Sequence, residues 1–200
     1  MKKTVVIVGL LLVVSGCSNC ATNDYQCLVD TNRQVKVEAC NLSGERKANV
    51  KVNIGNQTKN IKREYYAYTN QYKQVVYVSA KELILQTKAE ENHNGRLCED
   101  EADVSGTEKK EYDQGHIIAD ALGGVSNAYN ITPENSYLNR KGSKYNLEQE
   151  WINALRNNQK ITNVKVEIIY PNNYTQTPSK YKYSWEVDGS KRSLEIDNIA

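Results

Sequence analysis

Within one short stretch this 200-residue chain carries an imidazole, a hard oxygen ligand and a basic flank. The stretch runs Asp113-Gln114-Gly115-His116, then Ile117-Ile118-Ala119, then, one loop later, Asn130-Ile131-Thr132-Pro133-Glu134-Asn135-Ser136-Tyr137-Leu138-Asn139-Arg140. The chain has only two histidines, so a mechanism that needs an imidazole near neutral pH has two candidates. His93 lies among Glu91, Asn92 and Asn94 and reads as a solvated loop residue, which leaves His116. Hydrolysis of a phosphodiester needs a nucleophilic water, charge relief on the phosphate and a proton for the departing oxygen. His116, expected at the end of a strand, can take the proton from water. Asn139 offers a neutral amide oxygen of the kind Mg²⁺ accepts, with Mn²⁺ as a substitute. One neutral protein ligand would leave the ion strongly Lewis acidic.

The Asp113–His116 box, the Ala121-Leu122-Gly123-Gly124 loop, the run from Asn130 to Arg140 and the downstream Leu147-Glu148-Gln149-Glu150-Trp151 together resemble the DNA/RNA non-specific endonucleases, which belong to the ββα-metal, or His-Me finger, nucleases. The resemblance spans residues 61–197 and is most specific over 113–155. It implies an α+β fold, an antiparallel sheet core carrying a ββα-metal motif, with nucleic acid as substrate and Mg²⁺ as cofactor. In such enzymes a glutamate at the position of Glu148 holds metal-bound water, and an acid at that of Asp113 fixes the box without ligating directly. Glu134 and Asn135 are expected behind the ligands. The commonest box is Asp-Arg-Gly-His, so Gln114 stands where an arginine is usual, and another cation must steady the phosphate. Arg140 is the first choice and Lys144 the second, with Lys141 on the same basic flank.

The competing reading is a nucleic-acid-binding lipoprotein on the same scaffold with weakened catalysis, for which Gln114 is the one argument. A site-specific HNH-type nicking enzyme would need a DNA-reading module such as a helix-turn-helix or zinc finger, and the sequence has none. DNA and RNA both remain open as substrates, and the sequence identifies no cognate inhibitor.

These groups must be held by regular elements. Apolar residues alternate at Val35 and Val37, at Val50, Val52 and Ile54, at Val76 and Val78, and again at Val164, Val166 and Ile168, a period of two that indicates strands with one buried face. Fourteen tyrosines and no phenylalanine leave tyrosine to fill much of the aromatic core, so Tyr65, Tyr66 and Tyr68 are read as strand packing before base stacking. A short strand is expected around Tyr129–Thr132. A helix is expected from Lys144 to Asn157, with Leu147, Trp151, Ala154 and Leu155 facing the core and Glu148 at the margin of that stripe. Residues 171–178 read as a loop. Tyr181, Tyr183 and Trp185 form another strand, joined through the hairpin signal Asp188-Gly189 to a last one over Ser193–Ile196.

The ends and the charge bound the setting. Lys2 and Lys3, an apolar run from Val5 to Val14 and then Val14-Ser15-Gly16-Cys17 look like a lipoprotein signal, with about ten apolar residues where roughly twenty are needed to span a bilayer. The expected division is a leader over 1–16, a tether over 17–33 after a lipid-bearing Cys17, and one nuclease domain over 34–200. Five cysteines are an odd number for an exported protein. With Cys17 given to lipid, Cys20, Cys27, Cys40 and Cys98 remain for two disulfides, in any of three pairings. Without Lys2 and Lys3 the 26 basic side chains become 24, equal to the 24 acidic ones, which argues against a protein that coats nucleic acid through bulk charge but permits a local basic face. Residues 139–165 hold six basic side chains against two acidic, and residues 90–113 nine acidic against three basic. Cys17→Ala is expected to release the protein from the membrane fraction without changing the specific activity of the folded domain. Unchanged partition on cell fractionation would refute the lipid anchor.

Overall fold

The computed structural model describes residues 20 and 24–199, so the expected leader and the expected lipid site at Cys17 lie outside the described residues. A seven-stranded sheet forms the main layer, in the order β1 (Arg33–Val35), β2 (Val50–Asn53), β3 (Tyr65–Thr69), β4 (Val75–Glu82), β7 (Ile161–Ile169), β8 (Lys180–Val187), β9 (Ser190–Asp197). All neighbours run antiparallel except β1 and β2. Between β4 and β7 the chain leaves the sheet to form a separate antiparallel pair, β5 (Tyr112–His116) with β6 (Ile131–Asn135), followed by helices α2 (Ser136–Arg140) and α3 (Ser143–Arg156). This is the α+β fold with a ββα unit that the sequence implies.

The alternation of apolar residues accounts for the strands. Tyr181, Tyr183 and Trp185 are buried along β8, as are Ile161, Val164, Val166 and Ile168 along β7. The pattern in β7 slips by one residue, because Asn163 takes a left-handed φ of 52° and the register shifts between Thr162 and Lys165. The β8–β9 hairpin turns on Asp188 and Gly189, with φ of 48° and 83°, the positive pair a two-residue primed turn requires.

Helix α3 runs one residue ahead of its expected bounds and buries Leu147, Trp151 and Ala154, together with Ile152 and Lys144. Trp151 packs edge-on against Tyr183 and Trp185 of β8, with ring centroids 6.0 and 5.5 Å apart. That contact fastens the ββα unit to the large sheet.

Three expectations change. The segment expected to be a tether folds in part: α1 (Tyr25–Thr31) docks Leu28 against Tyr68, Val76 and Tyr77, and Tyr25 stacks on Tyr77 at 5.0 Å. Two apolar side chains among polar ones suffice for this, helped by the Cys20–Cys27 disulfide and by Asn32, whose amide donates to the carbonyls of Val50 and Thr69. The first strand ends at Val35, so Val37 lies outside it. The strand expected at 129–132 forms instead at 131–135, through Pro133, which a two-stranded edge tolerates because its missing N–H faces no partner. The second disulfide joins Cys40 to Cys98.

The loop after His116 is pinned from inside. Buried Asn130 donates to the carbonyls of Ile118 (2.9 Å) and Val125 (2.7 Å) and accepts from the Ile118 N–H (3.0 Å). Gly123, at φ 74°, lies flat on the buried Arg63 guanidinium, where any Cβ would collide with it. Arg63 is paired in turn with Glu90 at 2.6 Å. Burial opposes the Glu90 charge, but hydrogen bonds from Arg63, Thr87 and Asn56 outweigh it and draw its pKa down to about 2.

Because Trp151 carries the helix-to-sheet contact, Trp151→Ala is expected to cost about 3–5 kcal/mol of stability, read from the urea midpoint. A loss below about 1 kcal/mol would mean that α3 is held by something else.

Candidate active site

The β5–β6 ladder places the box residues opposite the Asn-rich run: Asp113 faces Glu134, Gln114 faces Pro133, Gly115 faces Thr132 and His116 faces Ile131. A Cβ on Gly115 would run into the Glu134 side chain, so the glycine of the box is required by the close approach of β6. Helix α2 begins directly after β6. Asn135 caps it, its side-chain oxygen accepting from the Tyr137 and Leu138 N–H groups at 3.1 and 3.3 Å.

Asp113 is the knot that ties β5 to α2. Its carboxylate accepts from Arg140 Nε (2.8 Å) and Nη2 (2.6 Å), from Asn139 Nδ2 (3.1 Å) and from Ser136 Oγ (2.9 Å). Partial burial works to raise its pKa, and the bonds from Arg140, Asn139 and Ser136 more than offset this and hold it below the usual carboxylate range. The amide nitrogen of Asn139 is thereby committed to Asp113, and its oxygen has no protein partner among the described residues.

His116 closes β5. Its Nε2 lies 3.2 Å from Ser126 Oγ, on a serine that is fully buried in the loop after the Gly123-Gly124 pair. Burial, with the charges of Lys144 and Arg96 adding, holds the imidazole pKa well below its ordinary value, so the neutral ring prevails at neutral pH. When Nε2–H donates to Ser126, Nδ1 keeps its lone pair. Ser126 carries no signal in the sequence that sets it apart from any loop serine.

Beneath the strand pair sits a buried cation. Lys144 Nζ donates to the His116 carbonyl (2.7 Å) and to Glu148 Oε1 (2.5 Å), and lies 3.8 Å from Glu134 Oε2. Burial disfavours its charge, but Glu134 and Glu148 outweigh this and raise its pKa, so the group is a permanent ammonium. Burial likewise lifts Glu134 above the ordinary carboxylate range against the pull of Lys144.

Several expected residues stand elsewhere than the sequence suggested. Lys144, expected to touch phosphate, is 2% exposed and points inward, because it falls on the same helical face as Leu147 and Trp151. Asn135 spends its side chain on the α2 cap. Arg140 is paired with Asp113 through two of its nitrogens, yet its side chain remains 68% exposed, and Lys141 beside it is also exposed. Gln114 faces the carbonyls of Glu101 and Ala102, each at 3.4 Å. Glu148 reaches the site margin from the first half of α3, held by Lys144.

No group of three or more His, Cys, Asp or Glu with metal-binding geometry occurs among the described residues. The Asn139 side chain is set by Asp113, and its oxygen, unpartnered among the described residues, is of the kind a hard cation that keeps most of its water accepts.

A family model described as DNA/RNA non-specific endonuclease matches residues 52–189. Among curated proteins, the type VII secretion system protein EssD of Staphylococcus aureus strain USA300 is 34% identical over 90 residues, 43% of this chain and 14% of the relative, so the chain spans about a seventh of that protein's length. Among solved structures, NucA from Streptococcus agalactiae with magnesium bound aligns at a TM-score of 0.53 and 18% identity, over 72% of this chain and 77% of that one. Its metal-free form gives 0.52 with the same coverage. The structural likeness establishes the fold.

The His116 environment predicts a titration. The ring C–H resonance of His116, followed by NMR against pH, is expected to move only well below the ordinary histidine value of about 6.5. A midpoint at or above that value would mean the ring is solvated and free of the Lys144 field.

Proposed function

Because this chain belongs to the DNA/RNA non-specific endonuclease family, we propose that it is an exported, Mg²⁺-dependent endonuclease that cleaves DNA, and RNA as a second substrate, without sequence preference. The observation that carries the reading is the Asp113 knot. It fixes the Asn139 side chain through its amide nitrogen, leaving the oxygen unpartnered among the described residues, on the same ββα unit whose strand ends in a neutral His116.

In this reading His116 Nδ1 takes a proton from a water as that water's oxygen attacks phosphorus, Nε2–H staying on Ser126 Oγ. The P–O3′ bond breaks, and the 3′ oxygen leaves with a proton from solvent. Asn139 through its amide oxygen and Glu148 by way of water would hold Mg²⁺, which would supply charge relief to the phosphate. Arg140 turns its remaining guanidinium edge outward while Asp113 orients it, and Lys141 adds a second exposed cation, so the pair is suited to the flanking phosphates. With Asp113 already neutralising much of Arg140, its phosphate contact is weaker than that of a free arginine. Resemblance to a secretion-system protein over 90 residues, together with the expected leader and two disulfides, supports export. Attachment to the outer face of a bacterial membrane through Cys17 is part of the same proposal. A scaffold that binds nucleic acid without cutting it has only Gln114 in its favour.

The test is digestion of plasmid DNA and of RNA by the mature protein with Mg²⁺ and with EDTA. Cleavage of both, abolished by EDTA, is expected. His116→Ala should lose about two orders of magnitude or more in turnover while retaining DNA binding. Asn139→Ala should lose activity that extra Mg²⁺ restores only in part, whereas Arg140→Ala should chiefly weaken binding and lower the salt slope by somewhat under about one unit. A wild-type Mg²⁺ dependence in Asn139→Ala would move the metal away from that residue.

A further inference from the structure

Lys144 is a full positive charge with a side chain 2% exposed, in a helix whose other inward residues are apolar. Burying an ammonium costs several kcal/mol unless it is paired and hydrogen-bonded. The helix would bury another apolar residue at this position at no such cost. The partners that hold the charge are the peptide carbonyl of the proposed base, His116, and one oxygen of the proposed metal-side glutamate, Glu148, with the buried Glu134 carboxyl 3.8 Å away. We propose that Lys144 is a positioning residue that joins the two halves of the active site, fixing the end of β5 and the Glu148 carboxylate to one point on α3.

The geometry gives each bond a task. The bond to the His116 carbonyl sets where β5 ends relative to α3, and so where the imidazole stands; the Ser126 contact then sets its rotation. The bond to Glu148 Oε1 occupies one carboxylate oxygen and leaves the other without a protein partner among the described residues. Glu148 lies one turn beyond Lys144 on the same helix, so without the ammonium its side chain would be free to swing into solvent, being already 16% exposed. Glu134 stands 3.8 Å from the ammonium with neither oxygen in a hydrogen bond among the described residues; Lys144 draws it toward the ionised form while burial opposes this. Outer partners of this kind typically change metal affinity or activity by about 10–100-fold.

This inference rests on the functional reading above for the roles of His116 and Glu148, and its test separates the two. Lys144→Met leaves two carboxyl groups facing an apolar side chain and is a poor folding risk, so the decisive variant is Lys144→Met combined with Glu134→Gln, which removes the ammonium together with the buried carboxyl beside it. Three measurements are made on the wild type and on this double variant: Mn²⁺ affinity by calorimetry, kcat and KM on DNA, and the salt dependence of cleavage. A folded double variant is expected to bind Mn²⁺ about tenfold or more weakly and to lose kcat by a similar factor. KM and the salt slope should stay near wild type, because no phosphate contact has been removed. Adding Glu148→Ala to it should then cost far less than Glu148→Ala costs in the wild type. Wild-type Mn²⁺ affinity in the folded variant would overturn the proposal whether or not the protein cuts DNA. A raised KM with a lowered salt slope would also overturn it, by making Lys144 a phosphate contact. If the wild type cuts neither DNA nor RNA, the nuclease reading fails, while the Mn²⁺ comparison still decides the role of Lys144.

Discussion

A two-stranded ribbon is marginally stable in water, and the candidate site is built on one. The pair β5–β6 shares no ladder with the seven-stranded sheet, so its shape depends on what grips it from outside. Asp113 holds it to α2, and Lys144 holds the His116 carbonyl to α3. Asn198, beyond the last strand, accepts from the Asn135 N–H and donates to the carbonyls of Pro133 and Pro178. Trp151 then transfers the whole unit to β8. Each grip is polar where the ribbon's own backbone is reached and apolar where helix meets sheet. This is the division expected when a ribbon too small for its own core must still be placed accurately.

The fold was legible wherever one period ran uninterrupted. The stripe Leu147, Trp151, Ala154 identifies α3 to within one residue, and Tyr181, Tyr183, Trp185 with Asp188-Gly189 identifies the last hairpin, because burial on one face and a positive-φ turn leave direct marks on residue choice. Elements fixed by a few particular tertiary contacts were not legible. Helix α2 rests on an asparagine cap and on Asp113, α1 on Leu28 and Tyr25, and β6 runs through a proline; in each, a local composition typical of loops is overruled by a tertiary partner that the sequence does not show as adjacent.

The site divides in the same way. His116, Asn139 and Glu148 stand out by type, order and spacing. What sets them does not. Ser126 is ten residues from His116 in sequence yet meets its ring, and Lys144 looks from the chain like one more member of a basic flank, since charge alone cannot tell an inward lysine from an outward one. The helical period could have told them apart, because Lys144, Leu147 and Trp151 are three and four residues apart and therefore share a face.

Gln114 can be understood from its neighbours. An arginine there would add a cation to a pocket where Arg96 and Lys144 already depress the His116 pKa, and would face the acidic loop through Glu101, which Arg96 already pairs with. A neutral amide makes two long contacts to the Glu101 and Ala102 carbonyls without changing that balance. The exposed positive charge is displaced to the α2 side, where Arg140 and Lys141 stand at the surface and Asp113 restrains one of them. An arginine bound bidentately by a carboxylate is oriented at the expense of part of its field, so phosphate recognition on this flank depends more on geometry than on net charge. That accords with a chain whose basic and acidic side chains nearly balance, in which attraction to a polyanion has to be local.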